Sequence, residues 1–194
     1  HVTLSEGEAH IEYDKKCHFF RAYSLLAQHI AAGETAFDIV ELPQFDTNGP
    51  MFDVSQGGAV IRVEEVKKLL RQMAQMGLNM LMLYCEDSFV VRPQPYFGYM
   101  RPRYTEADIR ECDDYADMLG IEMIPCIQTL AHLVDVLKWN VYDDIRENDV
   151  CLLVGEEKTY RFIRDLLTEA TRPFRSRRVH IGMDEAYNLG RGAY

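Results

Sequence analysis

Two adjacent carboxylates, Asp184 and Glu185, follow directly on a short apolar run in the segment 178–186, Arg-Val-His-Ile-Gly-Met-Asp-Glu-Ala. Neighbouring acids can take unlike roles when their surroundings push their pKa values apart. An apolar strand that delivers acids at its C-terminal end is also how an α/β barrel presents catalytic groups. The plainer alternative is a strand that ends in a solvated acidic turn.

Other apolar runs end in the same way. Asp53, near the end of a short run at 51–54, is followed by Ser55 and Gln56; Tyr84, Glu86 and Asp87 follow 79–83, and Gln128, Thr129 and His132 follow 121–125. The opposite ends carry Asn79, Glu122 and a basic connector at 172–178. A polar rim at the C-terminal ends of strands is where parallel α/β folds place their sites, whereas polar loops by themselves are general. The arginines of the connector read as a solvated helix-end cluster that complements the helix dipole.

The elements that must position these groups are legible from period and punctuation. The stretch 62–76 reads as a helix with Val63, Val66, Leu70 and Met73 on one face and Gly77 as its stop. Residues 104–119 read as a second helix with Ile109, Cys112, Ala116 and Leu119 inward, Thr105 as N-cap and Asp108 completing a capping box. A third helix at 156–170 is assigned Tyr160, Ile163, Leu167 and Ala170 as its inward face. Strands are expected at 51–54, 79–83, 121–125 and 179–183. The segments 76–81 and 119–124 repeat a pattern of helix end, glycine and strand, and strands alternating with helices imply a parallel sheet. Before residue 45 a strand at 9–13, a helix at 19–31 and a strand at 37–42 precede a turn-rich linker at 43–50, where a domain boundary is expected.

Composition removes several classes of function. The 194 residues carry 31 acidic and 21 basic side chains, a net charge of −10, which disfavours nucleic acid and anionic membrane surfaces as partners. No apolar run approaches the roughly 20 residues of a membrane span, and the first residues show no basic-plus-apolar leader. Five cysteines, an odd number with no CxxC spacing, point to a reducing, cytoplasmic setting. Glycine-rich nucleotide motifs, a GxSxG elbow and HExxH are all missing, so no cofactor and no metal are expected.

Six segments taken together resemble family 20 glycoside hydrolases, the β-N-acetylhexosaminidases, and most closely their intracellular-type branch. They are 49–55 (Gly-Pro-Met-Phe-Asp-Val-Ser), 80–87 (Met-Leu-Met-Leu-Tyr-Cys-Glu-Asp), 95–101 (Pro-Tyr-Phe-Gly-Tyr-Met-Arg), 104–109 (Tyr-Thr-Glu-Ala-Asp-Ile), 127–132 (Ile-Gln-Thr-Leu-Ala-His) and 180–186 (His-Ile-Gly-Met-Asp-Glu-Ala). Their order and spacing are far more specific than any one of them. The resemblance implies an α/β fold, a (β/α)8 TIM barrel. The first four βα units would occupy 46–194, preceded at 1–45 by part of a small α/β domain. It implies removal of terminal β-linked N-acetylglucosamine or N-acetylgalactosamine with retention, the substrate's own 2-acetamido oxygen acting as nucleophile. Such substrate-assisted families depart from the usual two-carboxylate scheme.

On that resemblance, Asp184 would orient the acetamido group and stabilise the charged intermediate, and Glu185 would be general acid and then base. A general acid near neutral pH needs a raised pKa, which a second carboxylate and partial burial both favour. Glu86 or, by preference, Asp87 would contact His132, and that pair would position Glu185. Gln128 lies on the same rim, and His180 is expected to pack in the strand layer. Two departures stand out. Gln56 occupies the place of the arginine that grips the terminal sugar, and an amide cannot supply a charged planar fork, so weaker or altered sugar binding is expected. The chain also ends after the fourth strand. A half-barrel with little activity alone, self-associating or joined to a complementary half, is therefore expected, with a silent carbohydrate-binding scaffold and a glycosidase with a carboxylate nucleophile as the competing readings.

Overall fold

The computed structural model describes residues 1–193. Among these residues the chain forms two three-stranded sheets with helices packed on them. The first sheet joins β1 (Val2–Ser5), β2 (Glu8–Ile11) and β3 (Phe37–Ile39) in the order β2-β1-β3, all antiparallel, with α1 (Lys16–Ala31) inserted between β2 and β3. The strand at 9–13 is thus Glu8–Ile11, and the strand at 37–42 stops at Ile39. β1 has no counterpart in the sequence reading. It is four residues long and takes its two partners from opposite sides of α1.

The second sheet is parallel, as the alternation of elements requires. β4 (Met51–Asp53), β5 (Met80–Cys85) and β6 (Glu122–Ile127) pair in the order β4-β5-β6, with Phe52 opposite Leu83 and Leu83 opposite Pro125. The crossovers are α2 (Val63–Met76) and α3 (Glu106–Met118), and α5 (Glu157–Thr171) follows β6 after a short α4 (Val134–Leu137). Successive strand residues face opposite sides, so Leu81 and Leu83 bury against the helix layer with Val66, Leu70, Met73, Ile109, Cys112 and Ala116. The N-terminus of α3 is closed by the capping box: Thr105 Oγ1 accepts from the Asp108 amide at 3.2 Å, and the Asp108 carboxylate accepts from the Thr105 amide at 2.8 Å. α2 ends at Gly77 (φ 76), whose left-handed conformation lets its amide reach the last turn.

Three expectations need correction. The segment 179–183 is not a regular strand. It joins β6 through one parallel bridge between Cys126 and His180, with His180 N donating to Pro125 O at 2.8 Å and Thr129 N to Gly182 O at 3.1 Å. Gly182 at φ 45 turns the backbone out of the extended region before pairing can propagate. Three complete βα units are therefore present among the described residues, with the fourth segment bridged alongside. His180 is exposed rather than packed, because this segment forms the sheet's outer edge among those residues.

The inward face of α5 is also rotated by about one position from that expected. Thr159, Phe162, Leu166 and Ala170 are buried, Ile163 and Leu167 flank them, and Tyr160 is 47% exposed. Phe162 meets the rings of Tyr142 and Phe97 at 5.3 and 6.3 Å. Leu166→Ala is accordingly expected to cost about 2–5 kcal/mol in urea unfolding, while Tyr160→Ala stays within about 0.5 kcal/mol. The reverse ranking would restore the other face.

All five cysteines are free and buried. Among the described residues no helix is long and apolar enough to cross a membrane.

Candidate active site

Several polar groups of the rim meet at a cavity of about 310 Å³ beyond the C-terminal ends of β4, β5 and β6, lined in part by Ser55, Gln56, Glu86, Arg101, His132 and Glu185. Its floor is built from turns. Asp53 Oδ1 accepts from the amides of Ser55 (2.8 Å) and Gln56 (2.9 Å), which curls the chain over the end of β4. Ser55 Oγ accepts from the Glu86 amide at 2.7 Å and bonds Ser88 Oγ at 2.8 Å, locking the loops after β4 and β5 together.

A buried polar chain runs across the floor. Glu86 Oε1 accepts from Tyr84 Oη and from Gln56 Nε2, both at 3.1 Å. Gln128, 1% exposed, donates through Nε2 to Tyr84 Oη at 2.9 Å and to Asp184 Oδ1 at 3.0 Å. Burial, and then the Glu86 charge, push the Tyr84 phenol well up, so it remains a proton donor throughout the working range. The Gln128 hydrogen bond, with His132 and His180 nearby, lowers the Asp184 carboxyl below its usual range.

His132 stands over this chain. Its Nδ1 is 3.7 Å from Glu86 Oε1, while its Nε2 faces Glu185 Oε2 at 3.3 Å and Asp184 Oδ2 at 3.5 Å. Glu185 Oε1 accepts from Tyr187 Oη at 3.0 Å. His132 (φ 58) and Glu185 (φ 50) both adopt left-handed backbone, strain that collects at functional positions.

The expected pairing of Asp87 with His132 is not formed. Asp87 turns the other way, 2.6 Å from Arg101 Nε, and Glu86 takes the place by His132. Strand parity is the cause: Glu86 lies two residues beyond Tyr84 and shares its face, whereas Asp87 does not. Burial raises the Asp87 carboxyl, and Arg101 opposes that rise. Arg101 also pairs with Asp135 of α4 at 3.0 Å and donates to Ser55 O at 2.5 Å, so one guanidinium ties together the segments that follow three successive strands. Sequence reasoning singled out neither this brace nor Tyr187 or Asp135. These contacts depend on how the loops fold over one another, and Tyr84, named only as a rim residue, carries the central hydroxyl. Of the residues singled out, Gln56, Glu86, Gln128, His132, Asp184 and Glu185 come together, and Asp87 supports them from behind.

Gly182 shows how closely this site is packed. A Cβ there would lie 2.6 Å from both Cδ and Oε1 of Gln128, at a backbone angle (φ 45) that L side chains rarely adopt. Gly182→Ala is therefore expected to push Gln128 off Asp184 and release the Asp184 carboxyl upward toward the ordinary value of about 3.9, which a carboxylate NMR titration would read. An unchanged titration would show that the Gln128 contact does not hold that pKa down.

Comparison with known proteins gives one consistent family. The family described as glycosyl hydrolase family 20, catalytic domain, matches residues 45–189. Human Hexosaminidase D is 28% identical over 144 residues, which are 70% of this chain and 29% of that protein. The GH20 β-N-acetylhexosaminidase from Streptomyces coelicolor A3(2) superposes with a TM-score of 0.69 at 26% identity, covering 80% of this chain and 36% of that one. The GH20 exo-β-N-acetylglucosaminidase from Vibrio harveyi, solved with N-acetylglucosamine, gives 0.79 at 23% identity over 95% of this chain and 35% of that one, a likeness of fold. The chain thus spans about three tenths of the length of the human relative.

Proposed function

The chain belongs to glycoside hydrolase family 20, and on that premise we propose that it supplies the catalytic acids of a retaining β-N-acetylhexosaminidase. We assign residues 46–194, of which 194 lies outside the described residues, to the N-terminal half of a (β/α)8 barrel and 1–45 to the end of a small preceding α/β domain. Substrates are terminal β-linked N-acetylglucosaminides or N-acetylgalactosaminides. Five free, buried thiols support a reducing, cytoplasmic setting.

The observation that carries the reading is the different fastening of two adjacent carboxylates. Asp184 is held by the neutral Gln128 amide and its acidity is strengthened, which suits a group that must stay anionic. It would accept the acetamido N–H and stabilise the oxazolinium that forms as the acetamido oxygen attacks the anomeric carbon. Glu185 is held by the Tyr187 hydroxyl on one oxygen and faces His132 with the other. It would protonate the leaving oxygen and then take a proton from the attacking water. His132, with Glu86 3.7 Å from its Nδ1 and Glu185 3.3 Å from its Nε2, would position the Glu185 carboxyl electrostatically. Gln56, tied to Glu86 by its amide, is a neutral contact for a sugar hydroxyl. A charged fork there would bind more tightly.

A glycosidase whose own carboxylate attacks the sugar is separated from this mechanism by two reagents applied to the full-length protein. A thiazoline analogue of the bicyclic intermediate is expected to bind at least about 10²-fold more tightly than N-acetylglucosamine, as transition-state-like ligands do. A fluorosugar is expected to leave no covalent adduct by mass spectrometry. A stable adduct on Asp184 or Glu185 would replace this mechanism with the other.

A further inference from the structure

We propose that His132, Asp184 and Glu185 form a three-ligand site for a divalent cation of the zinc type, through which free metal would block the catalytic acids. The blocking rests on the glycosidase reading above; the binding does not.

The three ligand atoms lie within 4.8 Å of one another. His132 Nε2 is 3.3 Å from Glu185 Oε2 and 3.5 Å from Asp184 Oδ2. Two ligands about 2.0–2.1 Å from a tetrahedral zinc are about 3.3–3.4 Å apart, so the histidine already stands at the right separation from both acids. Nε2 is buried and makes no hydrogen bond, a lone nitrogen directed at two carboxylate oxygens.

The other oxygen of each carboxylate is hydrogen-bonded elsewhere, and the other nitrogen of the histidine lies 3.7 Å from a carboxylate. Gln128 Nε2 donates to Asp184 Oδ1, Tyr187 Oη donates to Glu185 Oε1, and Glu86 Oε1 faces His132 Nδ1. Hydrogen bonds of the first two kinds orient metal ligands, and a carboxylate beside the second ring nitrogen is the usual outer partner of a coordinating imidazole. One nitrogen with two carboxylate oxygens and a position open to the cavity suits zinc. Calcium takes six to eight oxygens, and magnesium keeps most of its waters. No HExxH motif announces the site, because its ligands come from loops after neighbouring segments of the sheet rather than from one helix.

A cation there would occupy the oxygen through which Glu185 meets His132 and the free oxygen of Asp184. It would therefore compete with the acetamido sugar. Zinc chloride titrated calorimetrically into the full-length protein is expected to bind one to one. Cobalt should give the visible bands of a four-coordinate nitrogen–oxygen site. His132→Asn, which tolerates the left-handed backbone, is expected to weaken binding by more than about 100-fold, and Tyr187→Phe by about tenfold, the range of outer-contact losses. Asp184→Asn removes a ligand from an exposed position and is expected to weaken binding without disturbing the fold. Zinc affinity unchanged in both His132→Asn and Asp184→Asn would overturn the site. Zinc bound at these residues with hydrolysis untouched would overturn the blocking. Loss of hydrolysis in metal-free protein bears on the glycosidase reading alone, so the two failures are distinguishable.

Discussion

Glu185→Gln is expected to lower kcat/KM about 10³-fold for an alkyl N-acetyl-β-glucosaminide and much less for an aryl sugar with a good leaving group. The reason is proton demand. An alkoxide of high pKa must be protonated as its bond breaks, whereas a nitrophenolate leaves unaided, and general acid catalysis contributes about 10²–10⁴-fold where it is needed. Glutamine keeps the size of Glu185 and can keep the Tyr187 contact on Oε1, so folding and sugar binding should survive. The measurement is kcat/KM for wild type and variant across a series of leaving groups. Equal losses across the series would show that Glu185 does not donate the proton.

Asp184→Asn is expected to lower kcat by about 10²–10³-fold with a smaller change in KM, the size of loss seen when a group aimed at developing transition-state charge is removed. The substitution is isosteric and leaves an oxygen for Gln128 Nε2, now 3.0 Å from Asp184 Oδ1. On the proposed mechanism it removes the negative charge that would face the oxazolinium. The pH dependence has a definite sign. The folded pKa of Asp184 is depressed, first by the Gln128 hydrogen bond. Its ionised form is therefore complete above the ordinary carboxylate value of about 3.9 and is lost only as pH falls through the lowered one. Gln128→Ala removes the largest cause, so the part of the acid limb that reports Asp184 should move to higher pH. An acid limb that stays in place, or moves down, would separate Asp184 from that limb.

Legibility in the sequence followed the range of the interactions involved. The capping box of Thr105 and Asp108 is local and was readable, as were the apolar runs of β5 and β6, which are buried on both sides. The acids at the strand ends were readable for the same reason, since a change from apolar to charged residues marks where a buried strand emerges. Features decided by one residue of phase were less secure. Tyr160 fits an apolar stripe one position off the buried face of α5, although Phe162 and Leu166 carry the burial. The choice between Asp87 and Glu86 turns on the face that Tyr84 shares with Glu86. The irregularity at 179–183 comes from the backbone angle of Gly182, which a glycine permits and does not announce. Arg101 was invisible as a brace because its partners, Ser55, Asp87 and Asp135, become neighbours only when three loops close over the sheet.

The most direct test of the central claim is hydrolysis of an aryl N-acetyl-β-glucosaminide by the full-length protein, beside the aryl β-glucoside that lacks the acetamido group. The account predicts turnover of the acetamido sugar alone, with kcat reduced about 10²–10³-fold in Asp184→Asn. Comparable turnover of the plain glucoside, or turnover of neither sugar, would contradict it.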